Sequence, residues 1–278
     1  MDITTITSFR AARTRTELAL APGEAFIAGG TWLMSEPQPD TTGFVDLTTL
    51  GWPEIEVDAD GLRIGATCTI ARLLAWSEGR APDLPAVPAD WRATAMIPDA
   101  ANALLASFKI WNTATVGGNL CRTFAAGAMI SFAAGLDGSV LVWTPDGGEY
   151  RMPVAEFATG NGTNVLRPGE VLRRIDIPAH ALRSRARLQK IALAELGRSG
   201  AVVTGRVDAD DTATFVLTAA TAAPTVLRFP QLPDAATLAA SIDAVTGYYT
   251  DPLGAADWRR AVSGELAARI RAELEASA

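Results

Sequence analysis

The chain of 278 residues carries 24 Lys and Arg against 31 Asp and Glu, a formal net charge of −7, with 49% hydrophobic and 20% charged residues. That composition fits a globular protein with a well-buried core and room for two or three subdomains. It lacks the basic footprint of a nucleic-acid binder, and no uninterrupted apolar run reaches the length of a membrane span.

A single histidine and two distant cysteines narrow the chemistry further. A His-rich zinc site is excluded, as is an iron–sulfur cluster held by four thiolates of this chain. His180, in Pro178-Ala179-His180, reads as a loop or surface histidine without triad partners. Cys68 and Cys121 read as reduced thiols, and Met1–Arg10 has no signal-type apolar core, so a cytoplasmic location is expected. Reactive chemistry in this chain therefore has to come from a bound cofactor.

In chain order, residues 8–20 read as a short helix with Ser8 as N-cap, followed by strands at 25–28 and 43–47. Asp60-Gly61 marks a hairpin between 55–58 and 62–65, and Thr69 caps a helix running to Trp76. A proline-rich loop (81–88) leads to a helix over 98–108 with Pro98 at its start, and a small-residue helix is expected over 125–136. A second hairpin joins 140–143 to 149–152, and strand 171–177 follows the break at Pro168-Gly169.

The domain boundary is placed near 168. Beyond it, 187–193, 201–207 and 212–219 read as an antiparallel set, with helices over 234–245 and 255–276. Trp258, Val262, Leu266 and Ile270 would form the buried stripe of the last helix. The expected class is α+β, with a C-terminal domain in which an antiparallel sheet is followed by helices.

Two glycine pairs stand out. Ala28-Gly29-Gly30-Thr31-Trp32 follows a strand, and Thr115-Val116-Gly117-Gly118-Asn119 precedes a small-residue run. Adjacent glycines let backbone N–H groups converge on an anion and let a phosphate approach the main chain. Neither stretch is a Walker A loop or a Gly-x-Gly-x-x-Gly fingerprint. Tight turns that need glycine for backbone reasons alone are the alternative reading.

Ala28–Leu33 followed by Phe44-Val45-Asp46-Leu47 resembles the opening of the FAD-binding (medium) subunit of molybdenum hydroxylases, the family of xanthine dehydrogenase and aerobic carbon monoxide dehydrogenase. Leu62-Arg63-Ile64-Gly65-Ala66 with Thr69, Asn112–Leu120, Glu170–Pro178 and Lys190 match further landmarks in family order. The resemblance implies a two-subdomain FAD-binding domain of the vanillyl-alcohol oxidase type at 1–167 (subdomains about 1–52 and 53–167) and a smaller C-terminal domain at 168–278.

It also implies a FAD pyrophosphate between Ala28, Gly29, Gly30, Thr31, Trp32 and Thr115, Val116, Gly117, Gly118, Asn119, with Leu172 packed near the flavin ring. Lys190 would sit at the ring's polar edge; a solvated strand lysine is the plain alternative. The implied role is electron transfer, with iron–sulfur clusters in a small partner subunit, molybdenum in a large one, and NAD, oxygen or another acceptor beyond the flavin. No catalytic residue and no metal ligand is assigned to this chain.

Several positions depart from the family pattern. Ala125 and Ala128 stand where it has proline and a ribityl-contacting aspartate, Trp32 and Trp111 replace a small polar residue and an arginine, and Ala194 and Glu195 replace paired arginines. The first departures raise the alternative of a scaffold subunit that has weakened or lost FAD, and the last puts NAD in question. A free-standing flavin oxidoreductase is a third reading. Trp32 and Trp111 either stack or simply fill space.

Overall fold

The computed structural model describes residues 4–104, 108–194 and 197–277. Strands β1 (Ser8–Ala11), β2 (Glu24–Ile27) and β3 (Gly43–Asp46) form a parallel sheet of order β1-β3-β2. The helix expected over 8–20 is therefore replaced by β1 and a 3-10 turn at Arg15–Leu18. Gly43, Phe44 and Val45 are buried, so β3 needs a hydrogen-bonding partner on each edge, and β1 supplies the second. Arg10 then reaches from β1 to Glu24 on β2 (2.9 Å) and to the Ala19 carbonyl (2.6 Å), which fixes the chain between the two strands.

β4 (Ile55–Val57) and β5 (Gly61–Gly65) form the expected hairpin. The Asp58 carboxylate accepts from the Asp60 and Gly61 N–H groups (2.9 and 3.2 Å) and so holds the turn. Helix α1 (Ile70–Ser77) is capped by Thr69, whose hydroxyl accepts from the Arg72 N–H (3.2 Å). It buries Ile70, Leu73 and Trp76, and the Trp76 indole donates to the Pro85 carbonyl (2.7 Å), tying down the proline-rich loop.

Helix α2 (Met96–Ala103) begins two residues ahead of the expected start and ends before 108. The part of that expected helix over 105–107 lies outside the described residues, and α3 (Phe108–Trp111) follows. Next come α4 (Val116–Arg122) and α5 (Ala128–Gly135). Strands β6 (Ser139–Trp143) and β7 (Glu149–Pro153) form the second expected hairpin. After α6 (Val154–Phe157) and the small pair β8 (Ala158–Gly160) and β9 (Thr163–Asn164) comes β10 (Val171–Pro178). β10 is the middle strand of a sheet of order β4-β5-β10-β6-β7, antiparallel to both of its neighbours.

After α7 (Ala179–Arg183), strands β11 (Arg185–Ile191), β12 (Ala201–Val207), β13 (Ala213–Thr218) and β14 (Thr225–Phe229) form a four-stranded antiparallel sheet. β14 is one strand more than the sequence reading provides. Every residue of β12 and β13 is buried. Val203, Val207, Phe215 and Leu217 face the cluster under α8 (Ala235–Asp243) and α9 (Ala256–Ala276), whereas Val202 and Val216 join the main core. A sheet covered on both faces explains why these strands read as continuous apolar runs rather than alternating ones.

The cover on the main-core face is α5, whose eight residues are all buried. Its small side chains allow a close approach: the Ser131 and Thr218 hydroxyls meet at 2.5 Å, and a Cβ on Gly135 would lie 2.5 Å from the Thr204 hydroxyl. In α9 the buried row is Arg259, Ser263, Leu266, Ala267, Ile270 and Leu274, so Trp258 and Val262 are displaced from the expected stripe. Trp258 instead lies over Gly200 and Gly254, where its ring replaces any side chain those positions could carry.

The C-terminal sheet is joined to α5 by charge as well as by packing. Buried Arg206 on β12 donates to the Gly135 carbonyl (3.0 Å) and pairs with Asp137 and Asp208, and Arg228 on β14 reaches Asp137 at 2.8 Å. Burial alone would raise the Asp137 pKa, but hydrogen bonds from Arg228 and Arg206 outweigh it and hold the carboxyl at about 2.

A carboxylate held below its unfolded pKa stabilises the fold fully above that unfolded value and loses its contribution as pH falls through the folded one. We expect urea midpoints to fall as pH drops from about 4 to about 2. Asp137→Asn, which tolerates the positive φ of 52° at this position, should cost about 2 kcal/mol at neutral pH and flatten that acid limb. An unchanged acid limb in the variant would count against Asp137 as the titrating group.

Candidate functional site

A cleft of about 550 Å³ opens where the small parallel sheet, α4 and β10 meet. Ala28, Gly29, Gly30, Thr31 and Trp32 border it on one side, and Thr115, Gly117, Gly118 and Asn119 on another, with Leu172 on its wall. Two of the expected residues do not reach it. Val116 is buried in the core, and Lys190 sits half-buried on β11 opposite Val202. Ala194 is exposed beyond β11, and Glu195 lies outside the described residues.

The two glycine stretches differ in what their backbones offer. In the first, β2 delivers the chain to a turn closed by Met34 N–H to the Gly30 carbonyl (2.8 Å) and Ser35 N–H to the Trp32 carbonyl (3.0 Å). The N–H groups of Gly29, Gly30, Thr31, Trp32 and Leu33 have no partner among the described residues. Successive open amides on a tight turn, with Gly30 at a φ of +64°, make an anion-binding concavity.

In the second stretch the amides of 116–119 are already used, and only that of Thr115 has no partner among the described residues. Val116 N–H donates to the Cys68 carbonyl (2.8 Å), Gly117 N–H to the Ala66 carbonyl (2.9 Å) and Asn119 N–H to the Thr115 carbonyl (2.9 Å). Gly118 N–H donates to the Thr115 hydroxyl (3.0 Å), because Thr115 is the N-cap of α4. The expected convergence of both loops' N–H groups is therefore corrected: the second stretch is a capped helix start zipped to residues 66–70.

The glycines of this second stretch serve contact instead. A Cβ on Gly117 would lie 2.5 Å from the Ala66 Cβ and 2.6 Å from its carbonyl oxygen. A Cβ on Gly29 would fall on the Thr113 carbonyl, far inside van der Waals contact, so the two stretches touch backbone to backbone.

The departures downstream are built into the packing. Asn119 Oδ1 accepts from the Met129 N–H (3.0 Å) and so satisfies the start of α5. Ala128 is fully enclosed there. The Ala125 N–H donates to Asn161 Oδ1 (3.0 Å), a bond that a proline at that position would lose.

Sequence reasoning missed the cleft's charged side chains. Arg122, the last residue of α4, lies with its guanidinium carbon 3.6 Å from the Trp32 ring centroid and 4.3 Å from that of Phe124. Arg198 borders the cleft 5.9 Å from the Phe124 centroid. Glu170 is fixed at the rim by Tyr150 Oη (3.0 Å) and Arg167 N–H (2.8 Å). Burial, reinforced by Glu170, pushes the Tyr150 phenol up to about 12, so it stays a donor. The available signal was a cation in the segment leaving the glycine pair, paired with the aromatic replacement at Trp32. Of the two tryptophans, Trp32 stacks, whereas Trp111 packs against the main core.

Of the remaining reactive groups, Cys121 borders the cleft, whereas Cys68 and His180 lie outside it. Burial pushes the Cys68 and Cys121 thiols up to about 12, which keeps them protonated and unpaired. His180 is exposed on α7, 3.7 Å from Asp137 and not among the cleft residues. Among the described residues no three His, Cys, Asp or Glu side chains cluster to hold a metal, and no helix is long and apolar enough to cross a membrane. What the cleft offers is an apolar slot bounded by Leu104, Ile110, Leu166 and Leu172, with the unpartnered amides of Gly29–Leu33 among its lining residues. Its volume falls within the range of about 300–1,000 Å³ usual for cofactor clefts.

Residues 7–180 match the family described as the FAD binding domain in molybdopterin dehydrogenase. No curated protein matches the sequence. Among solved structures, the chain is similar to quinoline 2-oxidoreductase from Pseudomonas putida 86 (20% identity, 99% of this chain and 98% of that one, TM-score 0.80). It is also similar to reconstituted CO dehydrogenase from Oligotropha carboxidovorans (19%, 100% of both chains, 0.80). A third is the carbon monoxide dehydrogenase from Hydrogenophaga pseudoflava that lacks the Mo-pyranopterin moiety (18%, 98% of both, 0.77).

The glycine contacts give a direct test of the site's construction. Gly29→Ala should lower the urea midpoint by the equivalent of about 2–3 kcal/mol, because the Thr113 backbone must move. Gly264→Ala on α9, where nothing lies within 4 Å, should leave it unchanged or raise it by up to about 1 kcal/mol. Equal effects would mean that the loop contact is soft.

Proposed function

Because the chain belongs to the family of FAD-binding domains of molybdopterin dehydrogenases, we propose that it is the electron-transfer subunit of a molybdenum-containing hydroxylase. The observation that carries this reading is the row of open amides at Gly29–Leu33, set at the end of an apolar slot that Leu172 walls. Those amides would hold the FAD pyrophosphate, and Leu172 would pack beside the ring. Bound FAD supplies hydride and single-electron chemistry, linking one-electron iron–sulfur donors to NAD, oxygen or another acceptor.

The chain's own groups bind and exclude water; none of them is assigned a proton-transfer step. Its two cysteines and one histidine leave the iron–sulfur clusters and the molybdenum cofactor to a small and a large partner subunit. Lys190, on β11 opposite Val202, is not among the cleft residues, and we assign it no role at the flavin. β10 is central to its sheet, so we place the end of the FAD-binding part after Pro178 rather than near 168, with the four-stranded sheet and its helices as the second unit.

A second reading, a scaffold that has lost FAD, is favoured by one observation: all amides of 116–119 are spent within the protein. Titration of flavin-free protein with FAD separates the two. Binding at micromolar or tighter, with bound-flavin absorbance after purification in FAD, supports the electron-transfer subunit. Protein that stays colourless and gives no saturable change sinks it. Co-purification of cluster- and molybdenum-bearing chains tests the assembly, and turnover by the isolated chain would favour a free-standing oxidoreductase.

A further inference from the structure

Among the described residues, Arg122 is the one cleft cation held by two aromatic rings. Its guanidinium carbon lies 3.6 Å from the Trp32 centroid and 4.3 Å from the Phe124 centroid, and the two rings themselves meet edge-on at 6.4 Å and 73°. The rings stand nearly perpendicular to each other, so they hold the guanidinium by cation–π contact in a corner rather than between two parallel faces, and among the described residues it makes no hydrogen bond or ion pair that would compete with paired oxygens. Its Nε is enclosed and has no partner among the described residues.

A buried donor without an acceptor costs about 1–3 kcal/mol, more for a charged group, and an anion beside the guanidinium would offset part of that cost through its charge. Burial accordingly lowers the Arg122 pKa, with Glu36 opposing the shift only through space. The ring beneath the guanidinium belongs to Trp32, which sits in the same turn as the open amides of Gly29–Leu33. Two kinds of anion donor therefore share one end of the cleft.

We propose that Arg122, clamped between Trp32 and Phe124, is the second jaw of a diphosphate site whose first jaw is the Gly29–Leu33 turn. The proposal rests on the reading of the cleft as a dinucleotide site. It replaces the bonded amides of Val116–Asn119 with a charged side chain. The ligand class is an organic diphosphate: the guanidinium edge recognises the diphosphate itself, and the apolar slot selects what the diphosphate carries.

The test measures dissociation constants of flavin-free full-length chain for FAD, ADP and riboflavin at low and moderate salt, in wild type, Arg122→Gln and Arg92→Gln. Arg92 is an exposed arginine outside the cleft. Arg122→Gln should weaken FAD and ADP by about 10- to 100-fold, reduce their salt dependence and change riboflavin by less than about threefold, whereas Arg92→Gln should match wild type. Unchanged ADP affinity in Arg122→Gln overturns the proposal, as does riboflavin binding that falls in step with FAD.

If Arg122→Gln does not fold, Arg122→Lys gives the same contrast, because it keeps the charge and loses the planar fork. A loss of about 3- to 10-fold confined to FAD and ADP supports the assignment, and an equal loss for riboflavin overturns it. Wild-type protein that binds ADP through Arg122 but not FAD would end the flavin reading and leave the diphosphate site standing. Wild-type protein that binds neither would end both.

Discussion

The cleft exists because two stretches of backbone are held in direct contact. Residues 66–70 and 114–117 run as a short ladder: Ile70 N–H donates to the Ala114 carbonyl (2.9 Å), Val116 N–H to Cys68 and Gly117 N–H to Ala66, with Thr69 and Thr115 bridged between them. Gly117 then lies on Ala66, and Gly29 on the Thr113 carbonyl. No side chain fits at either glycine, so the distance between the parallel sheet and α4 is set by main-chain atoms, which cannot adopt another rotamer. A floor built this way is stiff, and the turn at Gly29–Leu33 inherits that stiffness.

The same economy holds the C-terminal unit. Arg259, fully buried, donates to the carbonyls of Gly200 (2.6 Å), Ala219 (2.5 Å) and Gly254 (3.1 Å), pairs with Asp251 (2.5 Å) and stacks on Tyr249 at 4.2 Å. It satisfies carbonyls from two strand ends and a loop at once. A hydrophobic side chain of equal volume would leave those carbonyls orphaned in the core. Arg206 plays the matching part at the other end of β12, where it reaches out of the sheet to α5 and the loop beyond it. Both arginines are polar atoms spent on backbone that the fold cannot pair otherwise.

Much of this was legible in the sequence. Asp60-Gly61, Thr69, Asp234 and the two hairpins carry local signals whose physics is complete within a few residues, and the structure places each of them where those signals point. β1 was misread as helix because its reason for being a strand lies some thirty-five residues away, in the open edge of β3. Trp258 was misassigned to the buried row because helical periodicity does not reveal two glycines waiting across the interface. Both glycine pairs border the cleft, yet only one of them offers its amides. Which N–H groups remain free depends on the partner ladder at 66–70, and that is a tertiary fact.

Electrostatics explains how an acidic protein can present an anion site. The net charge of −7 belongs to the outer surface, where water and salt screen it within about 10 Å. Inside the cleft the field is set by groups that water does not reach freely. The open amides at 29–33 and the stacked Arg122 are positive, and Arg198 stands near them. Of the carboxylates near these groups, Glu36 acts on Arg122 only through space, and Glu170 is turned to Tyr150 and the Arg167 amide. Its charge is thereby shared with two donors, which lowers the repulsion it exerts on an anion across the slot. Trp32 and Phe124 strengthen the effect by removing water from the sides of the guanidinium they contact, so the local dielectric falls there. The overall charge therefore predicts poor affinity for nucleic acid, and the cleft's own geometry decides its affinity for a diphosphate.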